Sequence, residues 1–330
     1  MNAVILGIGS ALPKKCVSND ELPSSLNTSD EWIVSRTGVK QRYVACDGET
    51  TASLAVEASA KALLMAKIAP ADVDLIVLAT VTGDYSFPST ATIVQRNLGI
   101  EKAVAFDVGA ACSGFIYALD IADSRIRLGK SRCALVIGAE TFSRLLDWSD
   151  RSTCVLFGDG AGAMVLGAAD SPCGVQSCMV YSDGVGIDHL KTSGGISTTQ
   201  TAGVVEMNGR EVFRFAVEKF TESLEELLRL HHMTVDDIDL IVPHQANIRI
   251  VEKLMERFNI PREKVLVTIH KHANTSAASI PLSLAELGAG IFSKKNVVLL
   301  SVGAGFTWGA ALLRFEPSAQ PEDNIYEKKR

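Results

Sequence analysis

The sequence is short of aromatic residues. Phe, Trp and Tyr make up 6% of 330 positions, while Ala, Val, Ile, Leu and Gly dominate. This is an α/β composition, and at 47% hydrophobic the chain has ample material for a large core, in two domains or one duplicated unit. Basic excess is also missing: the net charge of −6 gives no global positive field for neutralising phosphates, which argues against a nucleic-acid partner. Met1–Gly7 lacks the basic region of a signal peptide. The seven cysteines form no CxxC pair and no zinc spacing. An odd count without a secretion signal implies reduced thiols and a cytoplasmic protein. The longest uncharged run, residues 296–313, is broken by Gly303, Gly305 and Gly309, so two strands joined by a loop are expected rather than a membrane span. The glycine-rich stretch 157–163 has no following GKS or GKT, and GxGxxG is absent. It reads as a close-packed turn, not a phosphate loop.

What the chain does have is periodicity. Val4–Ile8 reads as a first strand. Thr28 or Ser29 caps a helix bearing Trp32 and Arg36. Amphipathic helices are expected over 51–66, 91–98 and 211–230, and buried strands over 75–81, 103–106, 133–140 and 265–268. Residues 182–203, rich in Gly, Ser and Thr, read as a long surface loop. The pattern then repeats. Asp72-Val73-Asp74-Leu75-Ile76-Val77 returns half a chain length later as Asp237-Ile238-Asp239-Leu240-Ile241-Val242. Each copy follows a helix containing Ala-Val-Glu and continues through strand, small-residue helix start, strand and glycine turn. The expected order is β-α-β-α-β-α-β-β, twice, with halves at 1–170 and 171–330 and an extended or disordered tail from 317. Two such halves would hold a ligand between them, at strand ends near helix N-termini.

Cys112 stands where the strand ending at Phe106 turns into a helix. A helix N-terminus favours the thiolate, which makes Cys112 a candidate nucleophile against the plain reading of a small buried residue. By the repeat, His244 and Asn274 end strands that face the same cleft, so a Cys-His-Asn site is expected. Trp32 beside Arg36 is either core packing or a platform for a flat ring. Arg249, Lys253 and Arg257 line one helix face, either a solvated face or a dock for an acidic partner.

Five stretches together (111–115, 157–162, 242–247, 274–279 and 303–309) resemble the β-ketoacyl-acyl-carrier-protein synthase III family, from about residue 3 to 315. The resemblance implies a thiolase fold of duplicated halves, layered αβαβα. It implies a decarboxylative condensation that initiates fatty acid synthesis, with Cys112 acylated by acetyl-CoA or another short acyl-CoA and discharged by malonyl-acyl carrier protein. His244 and Asn274 would bind the malonyl thioester oxygen, and the N–H groups of Cys112 and Gly305 would form the oxyanion hole. Trp32 and Arg151 would sandwich adenine, with Arg36 near the phosphates. Met207, Gly209, Phe213, Ala246 and Asn247 would line the pantetheine tunnel. Phe87 would bound the acyl pocket of a homodimer partner. Arg214, Gln245, Arg249, Lys253 and Arg257 would meet the carrier protein. No metal, cofactor or membrane is implied. The chain departs from the family at Ala273 and Ala304, where glycine is common.

Three rivals remain at this stage. One is a sister enzyme with another acyl specificity, one a Cys-His-Asn hydrolase, and one a non-catalytic acyl-CoA binding protein.

Overall fold

The computed structural model describes residues 1–316, so the tail expected from 317 lies outside the described residues. The first half runs β1 (Asn2–Ala11), β2 (Lys15–Ser18), α1 (Asp30–Thr37), β3 (Gln41–Val44), α2 (Thr51–Ala66), β4 (Leu75–Ala79), α3 (Thr90–Asn97), β5 (Val104–Val108), α4 (Gly114–Arg127), β6 (Cys133–Glu140) and β7 (Gly160–Ala169). The second runs β8 (Gly174–Ser182), β9 (Leu190–Thr192), β10 (Val205–Met207), α5 (Gly209–Leu230), β11 (Leu240–Pro243), α6 (Ile248–Phe258), α7 (Ile269–His272), α8 (Ser279–Ala285), β12 (Asn296–Gly303) and β13 (Thr307–Arg314).

The repeat read from the sequence is a repeat of topology. One sheet has the order β1-β7-β6-β4-β5 and the other β8-β13-β12-β11. The partner of β5 in the second sheet is reduced to a single parallel bridge between Val265 and Ile241. The expected strand at 265–268 therefore does not form. Beyond Leu266, which donates to the carbonyl of Ile241, the N–H groups of Thr268 and Ile269 go to the side-chain oxygen of Gln245 at 2.8 and 3.1 Å. The run at 296–313 is the antiparallel pair β12–β13. The supposed loop at 182–203 is partly built: it holds a 3-10 turn at 184–189 and strand β9, which pairs with β10.

The layers follow from burial. β6 and β12 are buried along their whole length, as strands covered on both faces must be. Helices α4 and α8 lie between the sheets: Phe115, Ile116, Leu119, Ile280 and Leu284 share one core with Leu75, Val77 and Val136 of one sheet and Val242, Val297 and Leu299 of the other. Helices α2 and α3 cover the outer face of the first sheet, α5 and α6 that of the second. This is the αβαβα order expected. Glycines set the spacing. A Cβ on Gly7 would sit 2.4 Å from the Ala62 carbonyl oxygen, so β1 and alanine-rich α2 pack backbone to backbone. Gly138 and Gly162, opposite one another on β6 and β7, receive the 277–282 segment in the same way.

Candidate active site

The site begins with a bend. Beyond β5, Ala111–Ser113 form a single 3-10 turn that leads into the 14-residue α4, and Ala111 takes φ +46°, an unfavourable region for a residue with a Cβ. The bend is fixed from the second half. Thr307 donates its hydroxyl to the Ala110 carbonyl at 3.0 Å, and Ser113 donates to the Thr307 carbonyl at 3.1 Å. A Cβ on Gly303, at the end of β12, would lie 2.9 Å from the backbone nitrogens of both Cys112 and Ser113. Only glycine lets the strand close on the nucleophile turn.

His244 follows β11, its backbone N–H held by the Leu300 carbonyl at 2.7 Å. Its ring Nδ1 is 2.5 Å from Oγ of Ser279, the first residue of α8. That oxygen also accepts from the Gln245 N–H at 3.4 Å. Among the described residues the Ser279 hydroxyl proton has no other hydrogen-bond acceptor than Nδ1, and with that proton on Nδ1 the ring carries its own on Nε2. Asn274 is pinned across the halves, its N–H to the Leu156 carbonyl (2.9 Å) and its carbonyl to the Gly158 N–H (3.0 Å). The glycine-rich stretch thus holds Asn274, and Gly158 packs too close to the His272 carbonyl for any side chain. The side-chain oxygen of Asn274 accepts from the Ser276 N–H at 2.8 Å, which leaves its amide donors for the cavity.

Cys112, His244 and Asn274 line one cavity of about 450 Å³. They are 7%, 2% and 5% exposed, and the dry surroundings decide their charge. Burial pushes the Cys112 thiol up to about 12, against the Ser276 hydroxyl beside it, which pulls the other way. A helix N-terminus favours the thiolate, but desolvation is the larger effect in the free protein. Burial also pushes His244 down to about 3, so the imidazole is neutral at physiological pH.

Trp32, Arg36, Arg151, Met207, Gly209, Phe213, Ala246 and Asn247 line the same cavity toward its mouth. Ser29 caps α1 through the Trp32 N–H, and the guanidinium carbons of Arg36 and Arg151 lie 4.8 and 4.9 Å from the Trp32 ring centre. Asn247 caps α6 and donates to the Arg36 carbonyl at 3.1 Å, tying α6 to α1. Gly305 does not line the cavity; its neighbours Gly303 and Phe306 do. Phe87 is 86% exposed. Of the residues expected at a protein dock, Arg249 is exposed at the mouth and packs over Phe213 at 5.4 Å. Arg214, Lys253 and Arg257 pair with Glu211, Glu256 and Glu225. Gln245 is not at the surface. It is 1% exposed, and its amide, which also donates to the Pro243 carbonyl at 2.6 Å, replaces the missing strand ladder.

Two residues escaped the reading of the sequence. Arg210, at the start of α5, adds a fourth exposed arginine to a mouth already ringed by Arg36, Arg151 and Arg249. Glu140, fully buried, ends β6 beside the Cys112 turn. The signal was there: a lone carboxylate closing an apolar run has to be satisfied by something.

A family model described as 3-oxoacyl-[acyl-carrier-protein (ACP)] synthase III matches residues 106–184, and its C-terminal counterpart matches residues 228–315. The chain is 55% identical over 316 residues to beta-ketoacyl-[acyl-carrier-protein] synthase III of Rhizorhabdus wittichii, covering 95% of this chain and 99% of that one. It is 54% identical over 314 residues to the protein of that name from Wolbachia pipientis, covering 94% and 98%. Among solved structures, 3-oxoacyl-[acyl-carrier-protein] synthase III from Aquifex aeolicus superposes with a TM-score of 0.90 at 44% identity, over 95% of this chain and 100% of that one.

Proposed function

We propose that Cys112 carries the acyl group and that His244 and Asn274 drive the condensation in this chain, which belongs to the β-ketoacyl-[acyl-carrier-protein] synthase III family. The enzyme is an acyltransferase. It condenses an acyl-CoA with malonyl-acyl carrier protein, with loss of carbon dioxide, and so initiates fatty acid synthesis.

The observation that carries the residue assignment is the shared cavity, in which one cysteine meets two neutral hydrogen-bond donors. The Cys112 sulfur attacks the acyl-CoA carbonyl, and the backbone N–H of Cys112, which lines the cavity as Gly305 does not, receives the oxyanion. CoA leaves with a proton, and the malonyl thioester takes its place. Nε2–H of His244 and the Asn274 amide donate to its carbonyl oxygen as carbon dioxide departs and negative charge builds there. Neither donor brings a charge of its own, so neither holds the malonyl carboxylate back. The carbanion then attacks the acyl-cysteine, and the sulfur is released.

CoA would lie along the cavity with its adenine between Trp32 and Arg151, its phosphates near Arg36 and Arg210, and its pantetheine arm past Met207, Gly209, Phe213, Ala246 and Asn247. Arg249 leads the contact with the acidic carrier protein: among the described residues it has no carboxylate partner. We take acetyl as the primer and a homodimer as the working form, with the exposed Phe87 closing the partner's acyl pocket. Among the described residues no cluster of His, Cys, Asp and Glu could hold a metal, and no helix is long and apolar enough to cross a membrane.

The test is intact-mass measurement after incubation with acetyl-CoA alone. One acetyl group should appear on the wild type and none on Cys112→Ser, and malonyl-carrier protein should discharge it. Acylation only by longer or branched thioesters would keep the residues and change the primer. Acylation by no thioester would sink the assignment.

A further inference from the structure

If Nε2 of His244 carries the ring proton and Nδ1 is taken by Ser279, the imidazole has no lone pair to offer the Cys112 thiol. Something else must take that proton when the thioester is attacked. The structure supplies one continuous path. The turn at 276–278 packs against the Cys112 turn, which sets the Ser276 hydroxyl beside the sulfur, and that hydroxyl spends its one proton on Oε1 of Glu140 at 3.0 Å, so toward the thiol it is an acceptor. Ser276 and Glu140 are both fully buried. Ser276 is held at φ +51°, a conformation unfavourable for a residue with a side chain and kept only where the surroundings enforce it.

Glu140 is built to hold charge or proton. Its other oxygen accepts from the Thr82 hydroxyl at 2.5 Å and the Thr80 hydroxyl at 3.1 Å, and the Val81 N–H lies 3.2 Å away. Facing the carboxyl are Thr80, Val81 and Thr82 beyond β4, Ser276 before α8, and the Cys112 turn. Of these only Cys112 titrates. Burial raises the Glu140 carboxyl to about 7, so it can change protonation state at working pH.

We propose that Ser276 and Glu140 form a proton relay that takes the Cys112 thiol proton during acylation and returns it to the departing CoA sulfur. The inference rests on reading Cys112 as the acylated nucleophile. As the sulfur–carbon bond forms, the thiol proton passes to Ser276 Oγ and the serine proton passes to Glu140. When the tetrahedral adduct collapses, the carbon–sulfur bond to CoA breaks with its electron pair on sulfur. The leaving thiolate lies next to Ser276 and recovers the proton by the reverse shift. Thioester and thiol go in; thioester and thiol come out. Glu140 ends ionised, and no outside acid is used. The relay serves the first half-reaction, and the His244–Asn274 pair serves the second.

The experiment is single-turnover acylation by acetyl-CoA, followed by rapid quench and intact mass from about pH 5 to about pH 9. The wild-type rate should fall as pH drops through about 7, where Glu140 takes up a proton. Glu140→Gln should acylate about 10²-fold more slowly above that pH, the lower end of what a positioned base contributes, and should lose the break. Ser276→Ala should match it, and the double variant should be no slower than either single one. A carboxylate that merely sits near the sulfur predicts the opposite sign, because removing its charge eases thiolate formation and speeds acylation. Acylation by Glu140→Gln at the wild-type rate or faster overturns the relay. So does a slower rate with the pH break intact, which would mark Glu140 as structural. Should Glu140→Gln fail to fold, Ser276→Ala and the wild-type profile decide alone. A wild type that cannot be acylated at all would count against the nucleophile itself, a distinguishable result.

Discussion

Adding one methyl group at Gly138, on the sheet and away from the cavity lining, should disable condensation. A Cβ there would lie 2.2 Å from the Ala277 carbonyl oxygen and 2.8 Å from its carbonyl carbon. Reaching ordinary contact near 3.4 Å requires the two segments to part by about 1.2 Å. β6 is the less mobile partner, hydrogen-bonded to β4 on one side and β7 on the other. The displaced piece is therefore the turn at 276–278. That turn connects Asn274 to Ser279, the hydroxyl that fixes the His244 ring. Overpacking of this kind costs about 1–3 kcal/mol. A misplacement of roughly 1 Å in a reacting group costs about 10²-fold in rate. Gly138→Ala should therefore melt a few degrees lower and turn over malonyl-carrier protein about 10² times more slowly. Gly184→Ala is the control, since a Cβ there meets nothing within 4 Å, and it should behave as wild type. Normal turnover and melting by Gly138→Ala would refute the claim that this glycine sets the position of the catalytic turn.

Further expectations concern the donors, the ring platform and the strained backbone. Ser279→Ala frees the His244 ring to carry its proton on either nitrogen, so discharge of preformed acetyl-enzyme should slow by about 10-fold or more while acylation is little changed. Because burial lowers the His244 pKa to about 3, the ring stays neutral above that value, and the discharge rate should show no break near pH 6.5; a break there would mean a solvated imidazole. Trp32→Ala should raise KM for acetyl-CoA about 10-fold with little change in kcat, as expected for loss of about 1–3 kcal/mol of base stacking. Ala273 sits at φ 59° and ψ −159°, where glycine is at home. Ala273→Gly should match or exceed wild-type stability in a denaturant titration, whereas the same change at buried Ala277 should cost about 1–2 kcal/mol.

Much of this was legible because local and global signals agree. The run at 133–140 is a buried strand and Thr51–Ala66 is a helix, as read. The repeated Asp-x-Asp-Leu-Ile-Val segments place β4 and β11 in equivalent positions of two sheets, which is how His244 and Asn274 came to be set beside Cys112. What escaped depends on distant partners. Gln245 looks like a surface residue until its amide is found replacing a β-ladder, and the same substitution hides why 265–268 fails as a strand. The charge state of Cys112 follows from how deep the second half buries it, a quantity with no local signature.

The bonds that pin Asn274 to Leu156 and Gly158 cross from one half of the duplication to the other, as does the bond from Thr307 to Ala110. Each half thus holds the other's reactive group in place. Were the chain cut between β7 and β8 and the pieces made separately, neither would retain a fraction of the activity. Turnover would instead depend on the product of the two concentrations, reporting a bimolecular affinity where the intact chain has none to report. A chain ancestral to the duplication, if it was active, would have needed a second copy of itself for the same reason. Joining the halves in one chain removes that dependence on abundance, because each half carries its partner at fixed stoichiometry.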